Sequence, residues 1–157
     1  MSQGHPMHPT VEESRELVRP YFINEFDQGG QSMFSHLERV VKNVEAYGEK
    51  FVHVAWLHDL VEDTNVTLED LRLIGYSPDI LLAVELLTRP METPYAAYID
   101  RLIASGNPLA LIVKIGDQMD NTNPNRMGYL PEIYRKALQK RYNGVLPRLI
   151  EAAAKVI

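Results

Sequence analysis

Cysteine is absent from the 157-residue sequence. That excludes a disulfide framework, a thiolate zinc site and a cysteine nucleophile, and it fits a reducing cytoplasm as the expected location. Long apolar runs are absent too. None approaches the roughly 20 residues needed to span a bilayer, so no membrane partner is expected. An excess of positive charge is missing: 16 Lys+Arg stand against 21 Asp+Glu, for a net charge of −5. This argues against a general grip on DNA or RNA. A small anionic ligand needs only a local positive site and stays open. Repeats are absent, and no two convincing strands exist to pair. Residues 1–10 are polar, with Pro6 and Pro9, and read as a flexible tail rather than a signal peptide.

What is present suits one all-helical domain over residues 11–157, long enough to bury a core without staples. Thr10-Val11-Glu12-Glu13 reads as a capping box before a first helix running towards Asn24. Leu37, Val40, Val41, Val44 and Tyr47 form a helical stripe that Gly48 ends. Residues 51–64 read as one helix, almost wholly apolar up to Leu57 and acidic at its end. Thr67 caps a short helix stopped near Gly75. Ser77-Pro78, Thr93-Pro94 and Asn107-Pro108 each read as a capping residue with proline at the first helical position. Asn123-Pro124-Asn125 reads as a loop, Pro131 opens a further helix, and a terminal helix carries Pro147 as a candidate kink.

Four side chains capable of binding a metal face inwards on this pattern. His36 lies one turn before Val40 on the buried stripe, and Asp117 extends the line through Ala110 and Val113. His58 and Asp59 follow the most apolar segment of the chain, where burying them is costly unless a cation neutralises them. Two imidazoles and two carboxylates suit manganese, iron or zinc better than calcium. A bound divalent ion acidifies water near neutral pH. Helical spacing sets Glu62 one turn beyond His58 and Asp63 one turn beyond Asp59. Taken singly each residue has a plain reading: a packed histidine, a chance His-Asp pair, a solvated helix end, a capping aspartate. Taken together, in order and each at the end of an apolar helix, they point to a site. Acidic residues at a helix carboxyl end also oppose the dipole.

The order His36, His58-Asp59, Asp117 resembles the H…HD…D signature of the HD-domain metal-dependent phosphohydrolase superfamily. His58-Asp59-Leu60-Val61-Glu62-Asp63-Thr64 resembles the HDxxEDT motif of its (p)ppGpp hydrolase branch, of SpoT type. Val113-Lys114-Ile115-Gly116-Asp117-Gln118-Met119-Asp120-Asn121 resembles that branch's VKLADxxxN motif. The match spans residues 34–126. The resemblance implies an all-α bundle holding one divalent ion, manganese first, with iron, zinc, cobalt and nickel as further candidates. His36, His58, Asp59 and Asp117 would be its ligands. Glu62 and Asp63 would orient or deprotonate the attacking water. Lys114, Asn121, Arg126 and Tyr142 would contact a small anionic nucleotide or support the site. The segment Gly29-Gly30-Gln31-Ser32-Met33-Phe34-Ser35-His36-Leu37 departs from the branch, whose basic residues, tyrosine and His-Pro pair help to grip guanine and phosphates. The alternatives are a nucleoside monophosphate or deoxynucleotide phosphatase on the same fold, and a non-catalytic binding module. A two-metal site would lack its usual ligands, because no histidine follows His58. A homodimer is compatible with the chain.

Overall fold

The computed structural model describes residues 8–157. Most of the expected tail, with His5, lies outside the described residues. Within its remainder, His8 Nδ1 sits 3.0 Å from the Gly75 carbonyl. Thr10 starts the first helix through a reciprocal pair of bonds: its hydroxyl accepts from the Glu13 N–H at 3.0 Å, and the Glu13 carboxylate accepts from the Thr10 N–H at 2.8 Å.

Eleven α-helices follow among the described residues. They are α1 (Val11–Phe22), α2 (Met33–Val44), α3 (Glu49–Leu57), α4 (Leu60–Asp63), α5 (Leu68–Ile74), α6 (Pro78–Leu87), α7 (Tyr95–Ser105), α8 (Pro108–Asn121), α9 (Pro124–Met127), α10 (Glu132–Tyr142) and α11 (Val145–Ala154). One antiparallel bridge, Phe26 to Ser32, closes the loop between α1 and α2.

Helix α8 is the axis of the bundle. Its start is set by the Asn107 side chain, which accepts from the Ala110 N–H at 3.0 Å, with Pro108 at the first helical position. Leu109 through Lys114 are buried without interruption, because α2, α3, α6, α7 and α11 all pack around it. A helix apolar on every side is stable only inside such a shell. Gly116 lets α2 come close: a β-carbon there would lie 2.8 Å from Val44 Cγ1. Asn43 fastens the same crossing by donating to the Gly116 carbonyl at 3.0 Å. This contact brings His36 of α2 and Asp117 of α8 to one level.

The local structure corrects the sequence reading in four places. Residues 51–64 are not one helix. The α-helical ladder stops at Leu57 and restarts at Leu60, with Asp59 at φ −103°, ψ −6°, the sparsely populated region beside the helix well. In an unbroken helix consecutive side chains diverge by about 100°; the break lets both His58 and Asp59 reach one point. Pro94 is the N-cap of α7 rather than its first residue, since the Tyr98 N–H bonds to the Pro94 carbonyl. Asn123-Pro124-Asn125 is not a loop but the start of α9, capped by Asn123 accepting from the Asn125 N–H at 2.8 Å. Pro147 does not interrupt α11, because it lies in the first turn, where its missing N–H is not needed.

Candidate metal centre and its cavity

His36, His58, Asp59 and Asp117 each offer one ligand atom, and these atoms all lie within 4.8 Å of one another. The two imidazole Nε2 atoms approach a single oxygen, Asp117 Oδ1, at 2.9 and 3.1 Å. Asp59 Oδ2 is 3.3 Å from His58 Nε2. The far side of each ring faces an acceptor. His58 Nδ1 donates to the Ala55 carbonyl at 2.7 Å, and His36 Nδ1 donates to Asp120 Oδ2 at 2.6 Å. With both Nδ1 atoms protonated, a neutral imidazole turns its Nε2 lone pair towards the carboxylates. Lone pairs facing carboxylate oxygens repel, so something positive must sit between them. Without an ion, a second proton on a ring would serve. Burial alone would lower His58, but Asp59 and the hydrogen bond to Asp117 outweigh it and raise it to about 9. His36 is likewise raised by Asp117 and Asp120 against its burial. A divalent cation satisfies the same donors without those protons, and imidazoles backed by a carboxylate or carbonyl are the usual arrangement around a metal. The residues present fit such an ion.

A shell of charges holds this set in place. Asp117 Oδ2 accepts from Lys114 Nζ at 3.0 Å and from the Asn121 amide at 3.2 Å. Asp117 is therefore held well below the ordinary carboxylate range, despite its burial, by Lys114 and the two histidines. Arg126 points inwards: Nη1 donates to Asn121 Oδ1 at 2.6 Å and to Asp120 Oδ2 at 3.2 Å, while Nε donates to Asp27 Oδ2 at 3.2 Å. The sequence reading missed Asp120, which orients His36 and is itself gripped by Arg39 Nε at 2.6 Å. The signal was available only in part, because Asp120 stands one turn beyond Asp117 on α8.

These four candidate ligands lie in a cavity of about 420 Å³, within the usual range for small-molecule sites. Glu62, Asp63, Lys114, Asn121, Arg126 and Tyr142 all line it, so the structure brings every residue singled out in the sequence to one place. Asp63 is raised to about 7, first by burial and then by Asp59 and Glu62. Glu62 is tethered, its Oε1 accepting from the Arg89 backbone N–H at 2.6 Å. Tyr142 stands edge-on to Tyr95 at 5.8 Å between ring centroids. His53 is outside the cavity. It bonds Ser14 Oγ at 2.6 Å, and Ser14 bonds Tyr76 at 2.6 Å, forming a buried polar joint between α1, α3 and the α5–α6 link.

No family model matches the chain, and no curated protein matches it either. Among solved structures, it is similar to that of a metazoan ortholog of SpoT that hydrolyses ppGpp and plays a role in starvation responses. The TM-score is 0.61 and the identity 17%, with 100% of each chain covered. The fold is thus an all-α bundle of the HD-domain type.

Proposed function

We propose that the protein is a metal-dependent phosphohydrolase that cleaves a phosphate or pyrophosphate ester of a nucleotide. The observation that carries this reading is the convergence of two imidazole nitrogens and two carboxylates within 4.8 Å on the floor of a cavity walled by Glu62 and Asp63. The similar structure of a ppGpp hydrolase supports it at the level of the fold. His36, His58, Asp59 and Asp117 would hold one divalent ion, manganese being the first expectation. That ion supplies Lewis acidity towards a water and a phosphoryl oxygen.

The chain's own residues divide the remaining work. The Asp63 carboxyl, raised to about 7, is poised to take a proton from water and return it to the leaving oxygen. Glu62 keeps one oxygen on the Arg89 N–H and has the other free to orient that water. Lys114 and Asn121 hold Asp117, and Arg126 holds Asn121 and Asp120, so these three position the ligands. Tyr142 offers an aromatic edge to the sugar or base.

The deciding experiment is a phosphate- and pyrophosphate-release screen over nucleotides, with manganese and with chelator. Turnover is expected with the metal alone. Glu62→Ala should keep the metal and lose turnover, whereas Asp59→Ala should lose both, read by metal content and rate on the same samples. Release confined to nucleoside monophosphates would select the monophosphatase alternative. No release from any nucleotide would leave a binding module.

A further inference from the structure

A second hollow, of about 280 Å³, is bounded by the amino end of α3, the α5–α6 link and the residues before α1. It shares no lining residue with the cavity that holds the candidate metal ligands. Both ends of the buried polar joint described above open onto it. Ser14 Oγ lies 2.6 Å from His53 Nδ1 and 2.6 Å from the Tyr76 hydroxyl. His53 and Tyr76 line the hollow although they are only 7% and 4% exposed, and Ser14 is wholly buried. Burial holds the His53 imidazole below its ordinary value, so at pH 7 it is neutral and carries one N–H.

The joint therefore has three donors, from Ser14, Tyr76 and His53, and two contacts in which to use them. Ser14 Oγ has no other partner among the described residues, so its O–H goes to one of these two neighbours. One donor is left over whichever way the protons run. It is the His53 Nε2–H when Tyr76 donates to Ser14, and the Tyr76 O–H when His53 does. A lone pair is left at the opposite end. Whatever fills the hollow has to satisfy both.

Two opposite charges stand beside this pair. Glu49 and Lys50 open α3 and line the same hollow, and Glu49 is close enough to His53 to favour its protonated form. Lys50 Nζ is 2.6 Å from Asp79 Oδ2, but these side chains are 61% and 43% exposed, and such surface pairs are weak. Among the described residues, the glutamates in ion pairs are Glu12, Glu16, Glu38, Glu69, Glu132 and Glu151; Glu49 is not one of them. Pro9 and Ile80 add an apolar wall. The volume falls below the roughly 300–1,000 Å³ of drug-sized sites, so the occupant is small. Glu49 opposes a simple anion there and Lys50 a simple cation; a molecule carrying both charges suits the two.

We propose that this hollow is a second ligand site, for an α-amino acid with a short aliphatic side chain. The carboxylate meets Lys50 and the spare donor of the joint, the ammonium meets Glu49, and the side chain lies against Pro9 and Ile80. The site stands at the start of the helix whose end delivers His58 and Asp59. It does not depend on the phosphohydrolase reading.

Calorimetric titration of the metal-free full chain with L-valine tests this. Saturable binding is expected. Isovalerate and isobutylamine, which are valine without its ammonium and without its carboxylate, should bind roughly tenfold or more weakly. Glu49→Gln should bring the preference for valine over isovalerate close to one, and Lys50→Gln the preference over isobutylamine, each with unchanged melting. In nitrogen-labelled protein the His53 ring signals should move as valine binds, while those of His36 and His58 stay. No saturable binding of valine, valine bound no better than its two fragments, or preferences unmoved in both variants overturns the site. Movement of the His36 and His58 signals without that of His53 overturns it too, because the ligand then occupies the metal cavity.

Discussion

Asp117 Oδ1 receives two imidazole nitrogens whose other faces already donate, to Ala55 and to Asp120. That single atom shows what sequence could and could not reveal about individual residues. His58, Asp59 and Asp117 could be singled out because each follows an apolar run where an isolated charge is costly, and His36 because it stands on a buried helical stripe; the structure brings one atom of each within 4.8 Å of the others. Asp120, Arg39 and Asp27 were not, because their contacts cross 81 to 99 residues of chain; only the spacing of Asp120 from Asp117 gave a partial signal. Asp120→Asn is expected to weaken metal affinity by roughly 10–100-fold, measured by competition with a chelating dye, because it removes the acceptor that fixes the His36 tautomer. Asp63→Asn should lower kcat by roughly 10²–10⁴-fold while metal content stays at the wild-type level.

Helices were read well where capping chemistry and periodicity agreed, as at Thr10, Thr67 and Asn107, and less well where a site interrupts a ladder. The stop at Leu57 and restart at Leu60 is such a case. The hydrophobic pattern favours continuity there, yet the ladder breaks where His58 and Asp59 turn towards one point. α9 was missed because a single turn is too short to show a period. Gly116 was read only as part of a motif, yet its lack of a side chain sets the α2–α8 crossing. Gly116→Ala should destabilise the protein by about 1–3 kcal/mol through overpacking against Val44. It should also reduce metal affinity, because His36 and Asp117 sit on the two helices pushed apart; denaturant melts and metal titrations on the same variant check both.

Across the whole molecule, the ion-free protein stores protons at its centre. His58 is raised from 6.5 to about 9, so between those values the folded chain binds more protons than the unfolded one. Stability from this group is complete below pH 6.5 and lost as pH rises towards 9. Asp63, raised from 3.8 to about 7, acts in the same direction over a lower window. Asp117 and Asp120 are depressed, so their contribution holds throughout both upper windows and fades only in acid. The melting temperature of metal-free protein should therefore fall as pH climbs from 6.5 to 9. Added manganese should raise it most at the alkaline end, since the ion replaces those protons. A chelated sample whose melting temperature rises with pH over that range would contradict the account. No described helix is long and apolar enough to cross a membrane.

Helix α10 contributes Tyr142 and Arg141 to the cavity, yet not one of its residues is fully buried. Its hold on the bundle is slight compared with that of α8, and its opening should cost little. One side of the chamber is thus stiff and the other yielding. Amide hydrogens in α10 should exchange rapidly with heavy water whether or not manganese is present, and slow when a nucleotide binds. Grip on the incoming molecule and grip on the ion would then be assigned to separate parts of the scaffold, free to change independently from one descendant to the next.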